Sequence, residues 1–239
     1  MFNRLMLIST STVHGSGYLD YCANSITKFL GTAGRVLFVP YARPSGISHS
    51  KYSELASEKF ADMGFELAGI HDFPDSRAAI EDAESLFIGG GNTFLLLRDL
   101  YRADLLDVVR QRVAEGMPYI GTSAGSNVAG LSIGTTNDMP IVHPRSFDAL
   151  GLVPFNINPH HLDPDPKSTH RGETRETRIN EFHVLNGQPV LGLREGAWLS
   201  VEGSSLNLEG SKGARLFSQG ADPEEFKPGA SLSFLLESH

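Results

Sequence analysis

Short apolar runs alternate with amphipathic segments along the first two thirds of the chain. The apolar runs lack the polar alternation of a strand with one solvent-facing side, so they predict strands that are buried on both faces. Pro40 ends the second of these runs. The predicted strands are residues 4–10, 35–40, 65–70, 85–88 and 117–122.

The segments between these runs place apolar residues at helical spacing, as Leu55, Phe60 and Met63 do within residues 50–63. Strands that alternate with helices form parallel βαβ units. The fold class predicted is therefore α/β, with a mostly parallel sheet flanked by helices. The predicted helices are residues 18–30, 50–63, 93–99 and 102–115, with a further helix beginning near Ala124.

Polar or glycine-rich segments follow three of the predicted strands. These segments are residues 9–17, 89–93 and 121–127. Ligands of open α/β sheets bind beyond the carboxyl ends of the strands. We therefore expect the three segments to lie side by side at one rim of the sheet and to carry the function.

After residue 185 the pattern changes to short alternating runs separated by glycine, which predicts antiparallel strands or hairpins appended to the main sheet. No long linker separates the two regions. We therefore expect a single α/β domain over residues 1–239, with a small C-terminal antiparallel β extension. The five C-terminal runs are residues 189–195, 197–203, 205–210, 214–220 and 230–237.

Composition and charge narrow the classes of partner. A net charge of −8 without a basic block argues against nucleic acid. The single cysteine, Cys22, excludes an intramolecular disulfide and a cysteine-based zinc knuckle, and fits a reducing compartment. No apolar stretch approaches the roughly 18 residues of a membrane helix, and no signal-peptide pattern is found. We expect a cytoplasmic protein without a membrane partner; a homodimer is one open alternative for its oligomeric state.

The segment Gly121–Gly125 matches G-x-S-x-G between a predicted strand and a predicted helix. This is the context of a nucleophile elbow, in which a tight turn lifts the serine clear of the sheet. Ser123 is then the candidate nucleophile, and the backbone N–H of Ala124 faces the atom that it attacks. The competing interpretation is a small-residue turn in which Ser123 caps a helix.

Gly89–Gly91, followed by Asn92, come directly after a buried strand. Three glycines permit positive φ and close backbone approach, so this loop could supply a second N–H to an oxyanion. A phosphate-binding loop is the weaker hypothesis, because neither GxGxxG nor a GK[ST] ending is present. A loop that simply requires glycine is the third interpretation.

A serine nucleophile needs a base, and His160 and His161 lie at another candidate strand end after Val153–Ile157. A third group must orient the base, and Asp138 and Glu195 are the candidates. A metal site built from His160, His161, Asp163 and Asp165 is a minor alternative, because the prolines here prevent the i, i+4 helical spacing of H-E-x-x-H.

Six segments occur together and in order between residues 4 and 200. The set resembles the aspartyl dipeptidases of serine peptidase family S51. The resemblance implies a fold like the class I glutamine amidotransferases, hydrolysis of dipeptides with an N-terminal aspartate, and no metal or organic cofactor. The segments are GGGNTF (89–94), YIGTSAGSN (119–127), TTNDMPIV (135–142), FDALGLVPFNINPH (147–160), GETRE (172–176) and GLREG (192–196).

By motif, the resemblance implies that Ser123 is the nucleophile and His160 the general base. It leaves two triad acids open, Glu195 in GLREG and Asp138 in TNDMP. It also assigns Gly91 and Ala124 to the oxyanion hole, and Asn92, beside them, is a candidate substrate-binding residue.

Two positions depart from the family pattern. Thr122 stands where a tryptophan often precedes the serine, and Ser126 replaces the usual alanine. Either change could reshape the pocket wall.

The resemblance also assigns substrate binding to Arg175 in GETRE, since arginine suits the bidentate geometry of a carboxylate. The alternative is an exposed helix face, because Arg171, Arg175 and Arg178 stand at i, i+4 and i+7. Two other functions remain open: a cyanophycinase-like exopeptidase that cleaves β-aspartyl-arginine, and a non-catalytic binding protein on the same scaffold.

Overall fold

A seven-stranded sheet organises the computed structural model, which describes residues 3–164, 167, 169 and 172–237. Its order is β3-β2-β4-β5-β1-β8-β9, and a second sheet has the order β11-β10-β7-β6. The strands are β1 (Arg4–Ile8), β2 (Arg35–Val39), β3 (Glu66–Gly69), β4 (Ser85–Ile88), β5 (Tyr119–Thr122), β6 (Asn156–Pro159), β7 (Val190–Leu193), β8 (Ala197–Glu202), β9 (Ser205–Gly210), β10 (Ala214–Phe217) and β11 (Glu224–Phe226).

Helices connect the parallel strands. The longest, α2, begins after Ser48, whose side chain accepts a hydrogen bond from the backbone N–H of Lys51 and so caps the helix. The helices are α1 (Ala23–Leu30), α2 (His49–Asp62), α3 (Ser76–Glu81), α4 (Thr93–Arg102), α5 (Leu106–Ala114), α6 (Ala124–Asn127) and α7 (Arg175–Leu185). Among the described residues, no helix is long and apolar enough to cross a membrane.

The main sheet confirms the predicted mostly parallel architecture. β3, β2, β4, β5 and β1 pair in parallel, and β8 and β9 extend the sheet in antiparallel pairing beside β1. β4, β5 and β1 are neighbours in the sheet order. The three polar or glycine-rich segments that follow these strands therefore meet at one rim, as predicted.

Side chains of the central strands alternate between two apolar clusters. Leu5, Leu7 and Ile88 belong to the cluster on one face, and Met6 and Phe87 belong to the other. Because strand side chains point alternately to opposite faces, both faces of the sheet are covered. The cluster that contains Leu5 also includes residues of β6, β7 and β10, so the apolar packing is continuous between the two sheets.

The C-terminal region differs from the prediction in its pairing. Only β8 and β9 join the main sheet, whereas β7 and β10 belong to the second sheet, in which β6 and β7 are parallel. The predicted last strand is a 3-10 helix over Ser233–Leu236, which buries Leu235 and leaves Phe234 exposed. The predicted helix over residues 18–30 begins only at Ala23, after a 3-10 turn entered through Leu19 in a left-handed conformation.

Candidate active site

Ser123 stands on a sharp turn between β5 and α6. Its φ of 51° and ψ of −110° are unusual for a residue with a side chain, and its carbonyl accepts hydrogen bonds from the N–H groups of Ser126 and Asn127, each at 2.9 Å. A Cβ atom at Gly121 would lie 2.5 Å from the carbonyl oxygen of Gly125, and one at Gly125 would lie 2.1 Å from that of Ile88. Steric exclusion at both glycines therefore explains the G-x-S-x-G spacing.

A continuous line of hydrogen bonds joins Ser123, His160 and Glu195. His160 Nε2 lies 2.9 Å from Ser123 Oγ, and His160 Nδ1 lies 2.6 Å from Glu195 Oε1. An ionised Glu195 accepts the Nδ1 proton, which leaves the Nε2 lone pair to accept the serine hydroxyl. The side chains of His160 and Glu195 are 37% and 49% exposed, so the site lies open at the rim.

Asp138, the other candidate acid, lies at the N-terminus of α4. Its Oδ2 accepts hydrogen bonds from the backbone N–H of Thr93 at 2.7 Å and from Thr136 Oγ1 at 3.2 Å. Both ring nitrogens of His160 already have partners. The structure therefore brings Glu195 to the histidine and places Asp138 where a carboxylate stabilises a helix N-terminus.

The glycine loop after β4 packs against the elbow. A Cβ atom at Gly90 would lie 3.0 Å from Ser123 Cβ, and one at Gly91 would lie 2.2 Å from the carbonyl oxygen of Ala42. Gly91 also has a φ of +147°. Among the described residues, the N–H groups of Gly91 and Ala124 donate to no protein acceptor. Both groups are thus available to an oxyanion near Ser123.

Asn92 shapes this loop through both atoms of its side-chain amide. Oδ1 accepts from the N–H of Leu95 at 3.1 Å and so caps α4, while Nδ2 donates to the carbonyl oxygen of Met139 at 2.9 Å. Its own N–H donates to the carbonyl oxygen of Ala42 at 2.7 Å. Asn92 therefore joins the glycine loop to the segment that contains Asp138.

Arg175 is the first residue of α7 and is half-buried. Burial lowers the pKa of its guanidinium, Arg178 acts in the same direction, and Asp138 opposes both. Among the described carboxylates, none forms an ion pair with Arg175, although Arg178 pairs with Glu173 and Glu176 with Arg215. A guanidinium remains charged in proteins, so Arg175 carries a charge that pairs with none of the described carboxylates. Arg171, the first arginine of the helical spacing, lies outside the described residues.

A group of ion pairs that no sequence motif predicts lies near the ends of β6 and β7. Arg194 donates to both carboxylate oxygens of Asp163, at 2.6 and 2.8 Å, and to those of Glu225, at 2.9 and 3.0 Å. Arg215 lies 3.3 Å from Glu225 and 2.9 Å from Glu176. These five residues form what we call the Arg194 network. No local sequence motif could have indicated it, because its five members come from five separate segments.

The Arg194 network adjoins three of the candidate site residues. Arg194 directly precedes Glu195, and Glu176 directly follows Arg175. Asp163 lies three residues after His160. The network therefore joins to the second sheet the segments that carry the candidate base, the candidate acid and the candidate substrate arginine.

The residues of the metal hypothesis have other partners. Asp163 is bound by Arg194, and His161 is buried with Nδ1 3.2 Å from Asn158 Oδ1. Asp165 lies outside the described residues. Within the part of the chain that the structure describes, no three His, Cys, Asp or Glu side chains are grouped as a metal site requires.

The two departures from the family pattern are buried beneath the elbow. Thr122 and Ser126 are both fully buried, and Ser126 Oγ lies 2.7 Å from the carbonyl oxygen of Ile8 and 2.8 Å from that of Gly121, either of which can accept its one proton. Neither side chain lines the open rim, so the expected change to a pocket wall is not seen at these positions. Ser126 instead ties the elbow to β1.

Comparison with known proteins gives consistent results. A family model described as Peptidase family S51 matches residues 5–209. Peptidase E from Streptomyces coelicolor is 50% identical over 233 residues, which are 98% of this chain and 95% of the relative. A protein of Drosophila melanogaster named "Probable alpha-aspartyl dipeptidase" is 48% identical over 98% of this chain and 97% of its own.

A solved structure supports the fold. It is described as the crystal structure of a peptidase from an acI-B1 actinobacterium, and it covers 98% of each chain with a TM-score of 0.73 and 17% identity. At that identity the likeness establishes the architecture alone. Together with the family match and the sequence identities, it leads to one conclusion. The chain belongs to peptidase family S51.

Proposed function

We propose that this S51 peptidase is a serine dipeptidase that hydrolyses dipeptides with an N-terminal aspartate. The line of hydrogen bonds from Ser123 through His160 to Glu195 carries the proposal. The names of two relatives, peptidase E and alpha-aspartyl dipeptidase, support the substrate class.

In the proposed reaction, Ser123 Oγ attacks the carbonyl carbon of the aspartyl residue while His160 Nε2 takes the hydroxyl proton. His160 then protonates the leaving amine, and the first product departs. Water, deprotonated by the same imidazole, attacks the acyl-enzyme and releases aspartate. Glu195 keeps the proton on Nδ1 and stabilises the imidazolium that forms.

The N–H groups of Gly91 and Ala124 stabilise the oxyanion of both tetrahedral intermediates in this proposal. The N-terminal end of α6 faces the same point, although a helix of four residues adds little beyond its first N–H groups. Loss of one oxyanion donor typically costs about 10²–10³-fold in kcat. Asn92 acts on the reaction by shaping the loop that presents Gly91.

Arg175 binds the side-chain carboxylate of the aspartate. A guanidinium that pairs with none of the described carboxylates supports this role. The whole chain carries a net charge of −8 and cannot attract an acidic substrate by overall charge. A local cation must therefore provide the selectivity.

The test is a panel of dipeptides measured by kcat/KM, with Asp-Leu compared with Asn-Leu, Glu-Leu, N-acetyl-Asp-Leu and β-Asp-Arg. We expect Asp-Leu to be the best substrate. Arg175→Met should remove most of the preference for Asp-Leu over Asn-Leu. Arg178→Met is the matched control, because Arg178 lies on the same helix and pairs with Glu173 at 3.6 Å.

Three results would contradict the proposal. Cleavage of β-Asp-Arg alone would establish the cyanophycinase-like activity instead. No cleavage of any Asp-X dipeptide, together with unchanged properties of Ser123→Ala, would favour a non-catalytic binding protein. Unchanged selectivity in Arg175→Met would remove Arg175 from the substrate site without affecting the assignment of Ser123.

We also propose a cytoplasmic location and a single α/β domain over residues 1–239. The sole cysteine, Cys22, is buried and unpaired, which suits a reducing compartment. The apolar cluster that continues from the main sheet into the second sheet supports one domain.

A further inference from the structure

Ser9 lies at the junction of the two sheets, directly after β1. Its side chain is fully buried, and its Oγ donates to the carbonyl oxygen of Leu193 at 2.7 Å while accepting from the N–H of His160 at 3.0 Å. Its own N–H donates to the carbonyl oxygen of Ala197 at 3.1 Å. Leu193 and Ala197 are the residues on either side of the turn that carries Glu195. One serine therefore contacts the backbone of the base and both ends of the turn that bears the acid.

The backbone of His160 requires such a contact. His160 has a φ of +53°, a left-handed conformation that is uncommon for a residue with a side chain. The hydrogen bond from its N–H to Ser9 Oγ satisfies the donor at this bend. Without this hydrogen bond, the bend at His160 would be less constrained, and its N–H group at the edge of the core would lack a partner.

The residue before Ser9 holds the nucleophile in the same way. The carbonyl oxygen of Ile8 accepts from the N–H of Ser123 at 3.0 Å and from Ser126 Oγ at 2.7 Å. Two consecutive residues, Ile8 and Ser9, thus connect the backbones of the serine, the histidine and the turn of the glutamate. The end of β1 sets the distances among all three.

We propose that Ser9 is a positioning residue of the catalytic site, and the proposal rests on the function proposed above. Its hydroxyl touches no reacting atom. It acts by fixing His160 and the Glu195 turn relative to Ser123, so that the two hydrogen bonds of the triad can form at once. Displacement of a catalytic group by about 1 Å can cost about 10²-fold in rate.

The central test is Ser9→Ala, which removes both side-chain hydrogen bonds and adds no volume. We expect kcat for Asp-Leu to fall about 10- to 100-fold, with KM changed less than about twofold, because the substrate contacts assigned to Arg175 are untouched. The apparent pKa in the kcat/KM profile should also move, since the contact between His160 and Glu195 loosens. Ser9→Cys, which keeps a weak donor and acceptor of similar size, should recover part of kcat.

Ser85→Ala is the matched control. Ser85 is also fully buried, and its Oγ donates to the carbonyl oxygen of Arg35 at 3.0 Å at the other end of the sheet, where β4 begins. Both alanine variants should lower Tm, whereas only Ser9→Ala should lower kcat. Equal effects on kcat in the two variants, or an unchanged kcat in Ser9→Ala, would overturn the proposal. If Ser9→Ala does not fold, the same comparison is made with Ser9→Gly, which also lacks the hydroxyl, and wild-type kcat in that variant with an unaltered pH profile would overturn the proposal as well.

A fluorophosphonate probe separates this proposal from the proposed substrate. The probe reacts with an activated serine whether or not the enzyme accepts Asp-X dipeptides. Ser9→Ala should label Ser123 about 10- to 100-fold more slowly than the wild type, and Ser85→Ala should label at the wild-type rate. If the wild type labels readily but cleaves no dipeptide, the substrate proposal fails and the positioning role of Ser9 is still decided by the labelling rates.

Discussion

The proposed nucleophile, Ser123, and its proposed base, His160, are held by different physical means. Ser123 is fixed by backbone geometry, because the glycines on either side pack against carbonyl oxygens where a Cβ atom would come within 2.1–2.5 Å. His160 and Glu195 lie at strand ends of the second sheet and are partly exposed. The N–H of His160 donates to Ser9 Oγ, and Ser9 Oγ donates to the carbonyl oxygen of Leu193 before the Glu195 turn. The ion pairs of Arg194 hold the residue next to Glu195.

This difference determines which substitutions each half of the site tolerates. The serine half is the elbow around Ser123, and the histidine half consists of His160, Glu195 and the residues that hold them. On the serine half, a single added methyl group disturbs the elbow, since steric overlap within a packed backbone cannot be relieved by a side-chain rotation. On the histidine half, activity falls when a polar contact is lost. Each such loss lowers the activity in part and does not abolish it. Added volume should therefore be most harmful on the serine half, and the removal of polar groups should be most harmful on the histidine half.

The largest effect is expected for Ser123→Ala. The attacking oxygen is lost, and kcat for Asp-Leu should fall by at least about 10⁴-fold, as for other serine peptidases that lose a triad member. Alanine removes one atom and leaves the turn intact, so Tm should change little. Steady-state kinetics measure kcat, and a thermal melt measures Tm. Retention of more than a tenth of wild-type kcat would show that the nucleophile lies elsewhere.

The next largest effect distinguishes the two candidate acids. Glu195→Gln keeps the shape but removes the charge that holds the Nδ1 proton, so kcat should fall about 10³- to 10⁴-fold. Asp138→Asn should lower kcat far less, because Asp138 accepts from Thr93 and Thr136 and does not contact His160. The main effect of Asp138→Asn should be a lower Tm, since the Asp138 carboxylate accepts from the first N–H group of α4.

The opposite ranking would exchange the two roles. If Asp138→Asn reproduces the kinetics of His160→Ala while Glu195→Gln is near wild type, the contact of 2.6 Å between His160 and Glu195 is not the catalytic one. Glu202→Gln serves as the surface control, because Glu202 is an exposed carboxylate at the far end of β8.

The two halves also differ in how much of them the sequence predicts. The strand–turn–helix pattern around Ser123 is local, so G-x-S-x-G and the buried runs before it were sufficient to predict the elbow and the parallel sheet. The pairing of β6 with β7, and the meeting of Asp163, Arg194, Glu225 and Arg215, depend on segments far apart in the chain. No periodicity or motif encodes such contacts, and for this reason residues alone left Glu195 and Asp138 equivalent.

Ser9 illustrates the same limit at one residue. The polar strand end at residues 9–17 predicted a functional rim, and the structure places this segment beside those that follow β4 and β5. The role of the serine within it depends on the carbonyl of Leu193 and the N–H of His160, 184 and 151 residues away in sequence. Sequence analysis can therefore mark such a residue as polar and well placed, but its partners come only from the fold.

The smallest effect concerns stability on the histidine half. Burial lowers the pKa of His161 to about 4, whereas an unfolded histidine titrates near 6.5. As the pH falls from 7 towards 4, the unfolded chain takes up a proton that the folded protein refuses, so the free energy of unfolding decreases. A difference of about 2.5 pH units corresponds to about 3 kcal/mol over that range.

His161→Gln should flatten this decrease. Urea denaturation at pH 7 and pH 5 should show the wild type losing about 2 kcal/mol more than the variant between the two values. His14→Gln, at an exposed position, should keep the wild-type slope. The carboxylate of Asp163, whose pKa Arg194 holds below its ordinary value, contributes only at lower pH. Equal slopes in all three proteins would mean that His161 takes up its proton in the folded state, and that the histidine half is no more sensitive to acid than the serine half.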